Sequence, residues 1–185
     1  MDVTKILETD HRTVEDLLDR IEDAEADERG PLIDELSASL RAHMELEEDA
    51  LYPTMAPVTG QEEVQEAETE HELAREGLEH VLELGPDEPG FGAALDALKA
   101  GIEHHVKDEE DGAFPKLRKD GASVLVDLAP AFMQKRIELG LPTGADVLAA
   151  SFTKDELTAE ADAAGVDGAA SKTKSELAKA LIAKM

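Results

Sequence analysis

Cysteine is absent from this 185-residue chain, and so is tryptophan; one tyrosine and four phenylalanines are its only aromatic residues apart from histidine. Without thiols no disulfide, thiolate nucleophile, zinc–cysteine or iron–sulfur site can form, so any metal here must be held by nitrogen and oxygen. No β-branched or aromatic alternation marks a strand, whereas Leu, Ala and Glu dominate and favour helix. No run approaches the ~18 apolar residues of a membrane span. The N-terminus, Met1 to Glu8, lacks the basic region and apolar stretch of a signal peptide, so a soluble, cytoplasmic protein with no membrane partner is expected.

Basic residues are scarce too. Eighteen Lys and Arg face 44 Asp and Glu, for a net charge of −26. The imbalance is local: residues 1–150 hold 13 basic against 38 acidic residues (−25), and residues 151–185 hold 5 against 6 (−1). A surface this negative repels phosphate backbones, which argues against nucleic acid as a partner of the first part. It also concentrates cations, although a solvated acidic face of the salt-tolerant kind accounts for the charge without any function.

What is present is a repeat. His43-Met-Glu-Leu-Glu47-Glu-Asp-Ala-Leu-Tyr52-Pro53 recurs as His105-Val-Lys-Asp-Glu109-Glu-Asp-Gly-Ala-Phe114-Pro115, and each copy is preceded by an acid–histidine pair, Asp10-His11 and Glu70-His71. Each candidate donor continues an apolar helical stripe: Leu7, His11, Val14, Leu18 and Ile21; Leu36, Leu40, His43, Glu47 and Ala50; His71, Ala74, Leu78 and Val81; Leu95, Leu98, Ile102, His105 and Glu109. In an ideal helix His43 and Glu47 sit 40° apart on adjacent turns, as do His105 and Glu109. Pro53 and Pro115 are expected to end their helices. Four histidines and two glutamates then point into the core of an antiparallel four-helix bundle, where unpaired polar groups are costly and metal coordination satisfies them together. Two ions fit better than one, each taking two imidazoles, with Glu47 and Glu109 bridging and an oxo or hydroxo group as a further ligand. Mixed imidazole and carboxylate ligation suits iron, with manganese and zinc left open.

The remaining polar candidates read differently. His104 keeps neither repeat spacing and is read as a surface residue or one standing behind the ligands, and His80 falls 180° from His71 and is expected to face solvent. Glu15 makes a third HxxxE with His11 but has no counterpart after His71, and is read as standing behind the ligands or solvated. Tyr52 fills a coordination position if its helix end bends inward, and otherwise caps the bundle. Glu48 and Glu110 lie 140° from the motif histidines and are expected on the solvated face, and Met44 and Met55 are read as packing or surface residues.

The order H…HxxxE…H…HxxxE, with its trailing Tyr-Pro and Phe-Pro-Lys-Leu, resembles the hemerythrin-like (HHE cation-binding) family over roughly residues 3–140. The resemblance implies an up-down four-helix bundle around a non-haem di-iron centre that meets dioxygen, peroxide or nitric oxide, with His11, His43, Glu47, His71, His105 and Glu109 as ligands. Oxygen carriers of that family have a fifth histidine where this chain has Arg75. Its loss implies an open position on both irons, which suits peroxide decomposition or oxidant sensing better than oxygen carriage. The other readings are an iron, oxygen or nitric oxide sensor, an iron store and a purely structural bundle.

Beyond a further amphipathic helix near 123–139 (Val124, Leu128, Phe132, Ile137), Leu141-Pro-Thr-Gly144 reads as a boundary. The expected organisation is a bundle over 1–141, a linker over 142–151 and a small helix–extended–helix module over 152–185, all-α throughout. Thr153-Lys-Asp-Glu156 and Thr173-Lys-Ser-Glu176 are two capping boxes. The module is similar to Rho N-terminal/SAP-like modules, which implies docking or weak nucleic-acid contact; its near-neutral charge argues against independent DNA binding.

Overall fold

A computed structural model of the chain describes residues 1–184. Every regular element among them is helical. Helices α1 (Thr4–Asp23), α2 (Arg29–Leu46), α4 (Gln61–Leu84) and α5 (Phe91–Asp108) form two antiparallel hairpins, α1 with α2 and α4 with α5, packed together as a four-helix bundle. The glycine–proline pairs at 85–86 and 89–90 fall between α4 and α5 as their helix-breaking chemistry requires. The four predicted stripes are the buried faces of these helices.

Pro53 and Pro115 do not end their helices. Each HxxxE motif runs into a π turn, Glu47–Leu51 and Glu109–Ala113, and the chain then continues as α3 (Tyr52–Thr59) and α6 (Phe114–Asp120), with the proline in the first helical turn. Proline is tolerated there because the N–H it lacks needs no partner at a helix start, and the widened turn relieves the clash of its ring with the carbonyl four residues back. Helix α7 (Ala122–Glu138) then packs on α6 and on the first π turn. Its buried face is Leu125, Ala129, Phe132, Met133 and Arg136, whereas Ile137, expected inward, is 58% exposed.

The segment read as a linker contains a short helix, α8 (Ala145–Ser151), which lies on α1 with Leu148 fully buried. Helices α9 (Lys154–Ala163) and α10 (Lys174–Ile182) both start with complete capping boxes on Thr153 and Thr173. Between them the chain does not run extended. It turns at Gly165 (φ 69°) and Gly168 (φ 68°), left-handed conformations that favour glycine, and passes through a 3-10 segment, Ala169–Ser171. Leu157, Ala161, Leu177 and Leu181 share one apolar cluster with Ile6, Leu51, Phe114 and Phe132. A second cluster, from Val14 and Leu18 to Leu95 and Ile102, fills the far half of the bundle. The six repeated histidines and glutamates form a polar layer between the two.

Candidate metal centre

The six residues that the repeat singles out converge and are all buried, with Glu47 fully inaccessible. Imidazoles pair within each hairpin: the His11 and His43 ring centroids are 4.9 Å apart and those of His71 and His105 are 4.6 Å apart. The carboxylates span the pairs. Glu47 Oε2 lies 3.2 Å from His43 Nε2 and 3.3 Å from His71 Nε2; Glu109 Oε2 lies 3.4 Å from His11 Nε2 and 3.8 Å from His105 Nε2. Two overlapping trios, His11–His43–Glu47 and Glu47–His71–His105, bring their ligand atoms within 4.8 Å of one another.

Four carboxylates stand behind the four rings. Glu48 Oε1 accepts from His71 Nδ1 at 2.8 Å, Glu110 Oε1 from His11 Nδ1 at 2.8 Å and Glu70 Oε2 from His105 Nδ1 at 2.9 Å. Asp10 faces His43 Nδ1 more loosely, at 3.8 Å. Where a carboxylate holds Nδ1, as at His11, His71 and His105, Nε2 faces the centre as the atom that a cation would take. This corrects the expectation for Glu48 and Glu110. Each reaches across to the leading histidine of the other hairpin, a partner invisible within one helix. Three of the four acids are held by arginine in turn. Arg75 donates to both Glu48 oxygens, at 2.7 and 2.8 Å, Arg12 pairs with Glu110, and Arg136 binds Asp10 through both carboxylate oxygens. Arg75 thus has its work in orienting His71 through Glu48. Arg136 was not singled out by the sequence reading, although an arginine on the apolar stripe of α7 was a signal for it. Glu15 pairs with Arg12 outside this shell, and His80 and His104 are on the surface.

Tyr52 and Phe114 repeat one role. The Tyr52 ring stacks on His71, with centroids 5.4 Å apart, and the Phe114 ring on His11, at 5.9 Å. Only Tyr52 has a hydroxyl, 3.1 Å from His71 Nε2 and 3.4 Å from Glu109 Oε1. Met44 and Met55 are core packing.

The electrostatics are those of a site short of positive charge. Burial opposes charge on His11, yet Glu109 and Glu110 outweigh it and raise the ring's pKa to about 9. Burial likewise opposes charge on His105, and Glu109, Glu47 and Glu70 raise it well above the ordinary imidazole value. Burial would raise Glu47, but His43, His105 and His71 hold it well below the carboxylate range. Burial, reinforced by the neighbouring carboxylates, pushes Tyr52 upward, so it stays a phenol. Several of these atoms make no hydrogen bond among the described residues: His11 Nε2, both nitrogens of His43, both oxygens of Glu47 and Glu109 Oε2. Buried polar atoms of this kind cost about 1–3 kcal/mol each when left unpaired. Imidazole and carboxylate atoms orphaned around one point fit cations shared between the hairpins.

The family profile described as the hemerythrin HHE cation binding domain matches residues 2–117, well over half of the chain. The chain belongs to that family. It therefore carries a metal-cation-binding domain, with its candidate His/Glu sites in the layer described above. The crystal structure of a hemerythrin HHE cation binding domain-containing protein from Mycobacterium kansasii shares the fold, with a TM-score of 0.61 and 23% identity, over 80% of this chain and 97% of that one. A DNA nickase from a Nostoc species is 25% identical over 124 residues, 66% of this chain. That match takes in 35% of the nickase, so the chain spans about a third of its length. No helix among the described residues is long and apolar enough to cross a membrane.

Proposed function

We propose that this HHE protein is a non-haem di-iron protein that engages dioxygen or hydrogen peroxide, with catalase-like decomposition of peroxide as its activity. The observation that carries the reading is the cluster of orphaned donors on His11, His43, Glu47 and Glu109, too many to leave unpaired in a core. In this reading His11, His43, His71 and His105 would hold the iron through imidazole nitrogens, and Glu47 and Glu109, each facing both hairpins, through carboxylate oxygens. A sulfur-free imidazole and carboxylate set favours iron.

A bound iron pair would relay two electrons from one peroxide, oxidised to dioxygen, to a second, reduced to water; the chain supplies the surroundings. Beside the four imidazoles lies a cavity of about 20 Å³, walled by Val14, Leu40, Met44, Ala74, Ile102 and Val106. It has room for one water-sized molecule, and its apolar walls suit a small ligand while keeping bulk water away. Tyr52 Oη holds its proton against Glu109 Oε1, the one hydroxyl donor at the centre. Arg75, engaged with Glu48, leaves the fifth-imidazole position of the oxygen carriers unfilled, which supports turnover over carriage.

Metal analysis and an optical spectrum of protein from iron-supplied cells test the assignment. About two irons per chain, near-ultraviolet oxo-to-iron bands and oxygen evolution from added peroxide are expected. Protein without transition metal, or full metal content in the double variant Glu47→Ala, Glu109→Ala, overturns it. A stable reversible oxy-spectrum without turnover sinks the catalase-like activity.

A second reading is a sensor of iron, oxygen or nitric oxide that signals through the C-terminal helices to a docking partner or, less favourably, nucleic acid. One feature favours it: Arg136, fully buried, binds Asp10 behind His43 and also donates to the Pro142 carbonyl at 2.9 Å, just ahead of α8. Under this reading metal loading changes the protease sensitivity of residues 142–184; an unchanged cleavage pattern removes it.

A further inference from the structure

The two halves of the centre are related by an internal repeat, but their outer sides differ. Outside the first π turn the surface is covered. Helix α7 packs on it, Ala50 and Leu51 join the apolar cluster, and Lys135 pairs with Glu45 at 3.2 Å and Asp49 at 2.6 Å. Asp10, behind His43, is sealed by buried Arg136. In the second half the corresponding residues, Asp111, Gly112, Ala113 and Glu70, line an open cleft of about 680 Å³. Among the described residues no helix covers it as α7 covers the first π turn, and four of its wall positions, Gly60, Ala67, Gly112 and Ala113, are glycine or alanine.

The cleft wall carries Glu62, Glu63, Glu66, Glu70, Asp108 and Asp111 and no basic residue. Lys116 reaches Glu63 at 3.5 Å and Lys107 reaches Asp111 at 2.7 Å from outside, while Glu62 and Glu66 make no ion pair among the described residues. Outside the cleft wall, exposed His104 has its Nε2 3.4 Å from Oε1 of the wall residue Glu70 and 3.7 Å from Oδ2 of the wall residue Asp108, three donors grouped closely enough to hold a cation. The other Glu70 oxygen already touches His105 Nδ1. At the inner end the wall includes Glu109, 3% exposed, whose Oε2 is buried without a partner. A hydrated divalent ion, on the order of 200 Å³ at roughly 30 Å³ per water, fits the opening.

We propose that this cleft is the route by which divalent cations reach the centre, with Glu70, His104 and Asp108 as a transit site at its mouth and the His71–His105 half as the side loaded from it. The proposal rests on the metal-centre reading above. A cleft of one charge sign between low-dielectric walls accelerates association by about 10–10³-fold at low ionic strength, and salt removes the effect.

Cobalt(II) uptake by the metal-stripped full chain tests it, because the visible absorption of the ion reports its ligation without any turnover. The variant E62Q/E66Q/D108N removes cleft charge outside the six donors. The control E25Q/D27N/E28Q removes the same charge at the α1–α2 connection, at the opposite end of the bundle. At low salt the cleft variant is expected to load about tenfold more slowly than wild type, to the same final occupancy, with the difference shrinking as salt rises; the control stays near the wild-type rate. Equal rates for cleft variant and wild type, or equal slowing in the control, overturn the route while leaving the centre standing. A wild-type chain that takes up no cobalt at equilibrium overturns both.

Discussion

Three of the four imidazoles at the centre have their Nδ1 held by a different carboxylate so that Nε2 faces inward, and His43 has Asp10 3.8 Å from its Nδ1. The leading acids of the repeat, Asp10 and Glu70, stand behind the motif histidines, and the trailing acids, Glu48 and Glu110, stand behind the leading histidines of the opposite hairpin. Losing such a support typically weakens metal affinity about 10–100-fold. Glu48→Ala is therefore expected to weaken metal binding within that range, and Arg75→Met, which leaves Glu48 in place but untethered, by less. Competition against a chelator measures both. Wild-type affinity in Glu48→Ala refutes the supporting role. A helical wheel turned the six repeated histidines and glutamates inward, and all six are buried, because each lies on its own helix's apolar stripe. It put Glu48 and Glu110 in water because their partners lie on another hairpin.

At the scale of elements, the π turns decide where the aromatic rings go. At 100° per residue Tyr52 would sit 140° from Glu47, away from the centre. The wider turn brings it back, and the same device turns Phe114 onto His11. Nothing in the sequence names a π turn, since proline after an acidic run reads equally as a helix stop. Helix α7 shows the same limit. Its periodicity was legible, but its face was offset, and the residue that fixes it is charged. Arg136 binds Asp10 and the Pro142 carbonyl with no exposure at all. Removing one partner of a buried ion pair costs about 3–5 kcal/mol, so Arg136→Ala is expected to lower unfolding free energy by that order in chemical denaturation. A change under about 1 kcal/mol shows that Asp10 finds water instead.

For the whole molecule, 26 surplus negative charges repel one another in the compact state. Raising ionic strength from about 0.01 to 1 M shortens the screening length from roughly 30 to 3 Å, so the melting temperature is expected to rise with potassium chloride. A scanning-calorimetry midpoint that falls with salt contradicts this. Acid acts on the join between α1 and α9, where Lys5 pairs with Glu156. Lys5, together with the Thr153 backbone and hydroxyl, lowers Glu156 from 4.5 to about 2. A carboxyl with a depressed folded-state pKa stabilises the fold above its unfolded value and loses that contribution as pH falls toward the folded one. Amide exchange in residues 154–163 is therefore expected to quicken between about pH 4.5 and 2 relative to a Lys5→Met variant; identical profiles refute the clasp.

The sequence by itself determined the helical class, the bundle, the four stripes, both capping boxes and the six inward donors, because periodicity, capping and the doubled motif are local properties of a chain. Tertiary structure alone decided which carboxylate serves which histidine, how the π turns aim Tyr52 and Phe114, where Arg136 is buried, and which of two near-identical halves stays open to solvent. Those outcomes depend on contacts between helices far apart in sequence, and a repeat that writes both halves alike cannot say that α7 covers only one of them.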